Sequence, residues 1–123
     1  MATLGNRVFD NGLTVLDTEA NAIHVTSQEA TDYTEATSTY TLGNSTSLSV
    51  GAPADRTGGG REVTVAAITD GSVTATGTAT HYAIVDTANS RLLATSTLSA
   101  SQSVTSGNTF TLASFTIGIP DPA

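Results

Sequence analysis

Arg61-Glu62-Val63-Thr64-Val65-Ala66-Ala67-Ile68-Thr69, followed by Asp70-Gly71, is the stretch that decides the fold class. Val63, Val65 and Ala67 alternate with their neighbours, the period-two pattern of a half-buried strand. Asp70-Gly71 is a tight-turn dipeptide and the strongest hairpin signal in the chain. The return strand is expected to run from Ser72 to Asp86, with Val73, Ala75, Gly77, Ala79, His81, Ala83 and Val85 on one face. Gly77 in its middle predicts a bulge, or a bend where the strand changes sheets.

Similar patterns continue outward. Thr87-Ala88-Asn89-Ser90 reads as a turn, and residues 91–98 as the next strand. From Thr109 to Ile119 the alternation slips phase. Phe110 and Leu112 share one parity; Phe115, Ile117 and Ile119 share the other. A β-bulge near Ala113-Ser114 would return both sets to one face. Pro120-Asp121-Pro122 stops the strand. Upstream, Gly51-Ala52-Pro53-Ala54-Asp55-Arg56-Thr57-Gly58-Gly59-Gly60 is the most loop-like segment. Tyr40-Thr41-Leu42 begins a strand, and residues 27–36 read as a loop with one helical turn anchored by Tyr33. Ala22-Ile23-His24-Val25-Thr26 is a strand. Asn11-Gly12, between Val8-Phe9 and Leu13-Thr14-Val15-Leu16, predicts an N-terminal arm or hairpin over residues 1–20. The expected architecture is all-β: one antiparallel β-sandwich or barrel with bulged strands over residues 21–123, carrying a Gly-rich loop at 51–61.

Composition narrows the function. Val, Ile, Leu and Phe number 26 of 123 residues, so the core is thin and contacts with neighbouring subunits would add stability. The net charge is −7, from 4 Arg against 11 acids, with no Lys. This argues against a nucleic-acid backbone and against an anionic membrane surface. Without Lys, sheet edges lack their usual guard against pairing with another chain. There is no Cys, hence no disulfide and no thiolate chemistry. The first residues carry no basic-then-apolar signal, and no apolar run approaches the roughly 18 residues of a membrane span.

The motifs that carry chemistry are weak. His24 and His81 sit in strands without the companion ligands a metal needs. A Ser-His-Asp set drawn from 13 Ser, His81 and Asp86 lacks the Gly-x-Ser-x-Gly elbow. Asp10-Asn11-Gly12 and Asp17-Thr18-Glu19 miss the spacing of a calcium loop. Gly58-Gly59-Gly60-Arg61 lacks the Lys-Ser/Thr ending of a phosphate loop. No catalytic residue, metal or cofactor is expected. Ser/Thr-rich faces suit a glycan poorly, because such sites use aromatic platforms and aromatics are only 5% of the chain.

Several segments together resemble a group of small virion proteins of tailed bacteriophages. They are Leu4-Gly5-Asn6-Arg7-Val8-Phe9-Asp10-Asn11-Gly12-Leu13, Gly60-Arg61-Glu62-Val63-Thr64-Val65, Thr76-Gly77-Thr78-Ala79-Thr80-His81-Tyr82-Ala83-Ile84-Val85-Asp86, Val104-Thr105-Ser106-Gly107-Asn108-Thr109-Phe110 and Ile117-Gly118-Ile119-Pro120-Asp121. The resemblance implies a non-enzymatic virion part, assembled in the host cytoplasm. The first expectation is a head decoration (cement) protein that bridges capsid subunits. Its partners would be the major capsid protein, other virion proteins and copies of itself, without nucleic acid or membrane. A tail, neck or fibre subunit, or a receptor- or glycan-binding module, is the alternative; a hydrolase comes third. Residues 1–12 and 51–61 are the candidate contact arms, with Leu4, Arg7, Val8, Phe9, Arg56 and Arg61 as candidate assembly contacts.

Overall fold

The computed structural model describes residues 6–120, and side chains from residue 10 onward. Nine strands follow one helix: α1 (Asn6–Glu19), β1 (Ala22–Thr26), β2 (Thr41–Ser45), β3 (Ala54–Asp55), β4 (Arg61–Val65), β5 (Ile68–Val73), β6 (Gly77–Asp86), β7 (Arg91–Val104), β8 (Thr109–Leu112) and β9 (Phe115–Ile119). A π-helical turn, Glu35–Thr39, lies between β1 and β2. All pairings are antiparallel. Six strands form a curled half-barrel sheet in the order β7-β6-β1-β2-β5-β8, and three form a second sheet, β3-β4-β9. The single-domain, all-β antiparallel class expected from the sequence is what the chain adopts.

The core lies between the two sheets and beneath α1. Ile23, Val25 and Ile84 from the large sheet meet Val63 and Val65 from the small one, with Ile68, Val73, Phe110 and Leu112 closing it. Burying each of the larger side chains contributes about 1.5–3 kcal/mol. β1 is the central strand, and all five of its residues are buried. Its second face is covered by the 27–40 segment, where Ala30, Ala36 and Tyr33 pack on Ala22, Ala83 and Val85. β6 is therefore buried on both faces at 82–86, not on the single face its alternation suggests.

Four sequence expectations are overturned. The first is the return strand Ser72–Asp86: its opening residues Ser72 and Val73 belong to β5, while β6 starts at Gly77, which marks neither a bulge nor a change of sheet. The N-terminal hairpin is a helix. Phe9, Leu13, Leu16 and Ala20 recur at helical spacing; Leu13 and Leu16 enter the core, and Asn11-Gly12 falls on the solvent side. Asp70-Gly71 is not a turn but the middle of β5. Gly71 is needed there because the Phe110 ring of the paired strand packs so close to its backbone that a Cβ would clash with it. The expected 61–69 strand breaks instead at Ala66-Ala67, two irregular residues where the chain leaves the small sheet for the large one. At Ala113-Ser114 there is no bulge within one strand. The phase slip marks the passage from β8 in the large sheet to β9 in the small sheet. The Gly-rich loop is irregular apart from the two residues of β3, and Gly58, Gly59 and Gly60 all take positive φ.

Candidate functional site

Arg61 joins three segments. Its Nε donates to Asp10 Oδ1 at 2.8 Å and its Nη2 to Asp10 Oδ2 at 3.3 Å, the forked pairing characteristic of guanidinium and carboxylate. Nη1 donates to Asp55 Oδ1 at 2.6 Å, and Nη2 also reaches the Pro53 carbonyl at 3.2 Å. The Asp10 bond first, then Asp55, raises the pKa of Arg61. One cation thus fastens α1, β3 and the 51–61 loop to β4. Of the candidate assembly contacts, Arg61 is committed inward. Arg56 is half-buried and bonds the Gly59 carbonyl at 3.0 Å. Leu4 and the side chains of Arg7, Val8 and Phe9 lie outside the described residues. Residues 6–12 belong to helix α1, whose Leu13 and Leu16 enter the core, so this part of the expected 1–12 arm is built into the fold; residues 1–5 lie outside the described residues.

The acids with shifted pKa values accept structural hydrogen bonds: Asp86 and Glu35 within local turns, Asp70 between β5 and the end of β2. Asp86, at the end of β6, accepts from the Asn89 side chain at 2.8 Å and from the main-chain N–H of Ala88 at 3.0 Å. These bonds, that of Asn89 foremost, hold its carboxyl below the usual range and close the β6–β7 turn. Asp70 accepts from Ser47 at 2.6 Å and Ser45 at 3.0 Å, with the same effect. Glu35 is lowered by the Thr31 hydroxyl and N–H. His24 bonds Thr41 Oγ1 at 2.8 Å, and burial pushes its pKa down. His81 bonds the hydroxyl of its neighbour Thr80, which also donates to the Ser27 carbonyl. Among the described residues no three metal-ligating side chains converge, and no helix is long and apolar enough to cross a membrane.

The feature that sequence reading missed is built around β7. This strand is an edge, paired only with β6. Its register skips twice. Ile84↔Ala94 is followed by Val85↔Leu92, and Ala79↔Gln102 by His81↔Thr97. The second skip leaves residues 98–101 with no partner in β6, so they bulge away from the sheet. Opposite them stands the 113–114 link, which also has no ladder partner. A cleft of about 370 Å³ opens between the two. Tyr82, Leu98, Leu112 and Phe115 give it apolar surface; Ser96, Thr97, Ser99, Ser114 and Thr116 give it hydroxyls. The Tyr82 and Phe115 rings sit 4.6 Å apart at 41°. Gln102 also lines the cleft, and its Nε2 donates to the Thr111 carbonyl at 2.9 Å, tying β7 to β8. The lining holds no acid, Arg or His, and the cleft offers hydrogen bonds and apolar contact. The sequence expectation, residues 91–98 facing a longer return strand, offers no sign of it: β7 runs on to Val104, 14 residues facing a β6 of 10.

No family model, no curated protein and no solved structure matches this chain.

Proposed function

We propose that the protein is a structural subunit of a tailed-phage virion, and specifically a head decoration protein that binds the capsid exterior and bridges its subunits. The observation that carries this reading is β7. Residues 92–104 form an uncharged free edge on a chain whose net charge is −7. Soluble proteins guard such edges with Lys or Pro, and this one has neither there. An edge of this kind suits a protein whose sheet is covered after assembly. The acidic, Lys-free composition and the resemblance of its segments to small virion proteins support the same reading. The mechanism is mechanical: many copies each add buried area across capsid seams and so raise the cost of opening them.

The test is to mix the purified protein with capsids that lack it, then measure co-sedimentation and the capsid melting temperature. Binding with a higher melting temperature is expected. Capsids that neither bind the protein nor gain stability would exclude decoration and move the protein to the tail. A Lys at Thr97, on the exposed part of the edge, should weaken binding while leaving the fold intact.

A further inference from the structure

We infer that the cleft between β7 and the 113–114 link receives an extended, uncharged polypeptide segment of a partner protein, which adds as a strand. This names the partner's chemistry at the surface just proposed for assembly, and to that extent it builds on that proposal.

Three observations converge. First, both walls are main chain without sheet partners: residues 98–101 on one side and 113–114 on the other. Among the described residues, neither stretch takes part in the turn and loop main-chain hydrogen bonds outside the strand ladders. Unpaired N–H and C=O groups along an edge are complementary to another extended backbone, the basis of strand addition. Second, an amide already spans the gap. The Gln102 carboxamide, chemically a peptide group, donates to the Thr111 carbonyl at 2.9 Å from β7 to β8. It shows the bond that a guest amide would make farther along. Third, the walls select against charge. The twelve lining residues include no acid, Arg or His. A charged guest side chain would lose its hydration here without gaining a counter-ion. Small and apolar side chains would meet Leu98, Leu112 and the Tyr82–Phe115 pair, with serine and threonine hydroxyls interspersed along both walls. The size, about 370 Å³, suits a short run of extended chain.

The probe is a capped, neutral heptapeptide of alternating Ser/Thr and Val/Leu. Two controls accompany it: the same peptide methylated on alternate amide nitrogens, and one with Glu in place of Val. Amide chemical shifts and hydrogen exchange of the full chain are followed during titration. The neutral peptide should shift the amides of both walls, 98–101 and 113–114, and slow their exchange at least tenfold. Neither control should do so, and Ser99→Lys or Ser114→Lys, both at exposed positions, should abolish the response. Silence at millimolar peptide overturns the inference. An equal response to the methylated peptide overturns it too, since side chains alone would then be read. Concentration-dependent protection of the same amides without peptide, with a dimer in sedimentation, would make a second copy the occupant and refute the partner segment. Capsid co-sedimentation is scored separately. Peptide binding without capsid binding keeps the strand site and discards decoration; the converse discards the strand site alone.

Discussion

His24 sits mid-strand in β1, flanked by Asn44 of β2 and Ala83 of β6. Thr41 Oγ1 lies 2.8 Å from its Nδ1 and donates its own proton to the Gly43 carbonyl, so the two bonds coexist when Nδ1 carries hydrogen. Burial lowers the folded pKa below the usual 6.5. Above that value the ring is neutral in both states and stability is at its full level. As pH falls from 6.5 through the lowered folded value, the unfolded chain takes up a proton that the folded one resists. Each unit of that window costs up to about 1.4 kcal/mol. The urea midpoint should therefore drop between pH 7.5 and pH 5, and should drop less in His24→Gln. A wild-type midpoint flat over that range would show that the ring is not held neutral. Glu35, Asp70 and Asp86 have lowered values, so their contributions are lost only further into the acid range. Gly71 tests packing at the same scale. Its missing Cβ is the space occupied by the Phe110 ring. Gly71→Ala should cost about 1–3 kcal/mol, the usual penalty for overpacking, in chemical denaturation. Were Asp70-Gly71 a solvent-facing turn, no such clash would arise.

Elements were legible where one period dominated and misread where a local signal competed with a distant partner. β4 follows from alternation alone, because its own residues fix its buried face; β1, buried throughout, and the early part of β7 are legible instead as short runs of strand-forming residues. Asn11-Gly12 and Asp70-Gly71 are turn dipeptides by propensity, yet both lie inside regular elements. In α1 the spacing of Leu13 and Leu16 against the core outweighs a helix-interior glycine, which costs about 1 kcal/mol. That cost can be recovered. Gly12 is exposed, and a Cβ there would make ordinary contact with Ile119 Cδ1 at 3.8 Å. Gly12→Ala should stabilise the protein by roughly 0.5–1 kcal/mol, read from the denaturation midpoint. A hairpin turn with Gly12 at positive φ would give the opposite sign, so the measurement separates helix from hairpin. The cleft was illegible for a different reason. It arises from the mismatch in length between β6 and β7, and that mismatch exists only once the register of the pair is set. No residue of 98–101 is unusual by itself.

At the scale of the whole molecule, charge and edge act against each other. The chain carries −7 at neutral pH and has an isoelectric point near 4.3. Copies therefore repel at pH 7, although β7 presents an uncharged free edge and the chain has no Lys to guard it. Repulsion substitutes for the missing gatekeeper and vanishes near the isoelectric point. Light scattering should then report growing assemblies as pH falls from 7 towards 4.5, with circular dichroism confirming that the sheet persists. If β7 is the contact, Thr97→Lys should suppress this growth. Thr105→Lys makes the same change in net charge on an exposed turn beyond the strand, and it should leave the growth nearly unchanged. Equal suppression by both would mean that net charge alone governs solubility and that β7 is no special surface. Suppression by Thr97→Lys alone would identify the edge as the place where this molecule meets another chain. Under the proposed decoration role, the same substitution should then also weaken co-sedimentation with capsids at pH 7, where repulsion between the acidic copies is strongest.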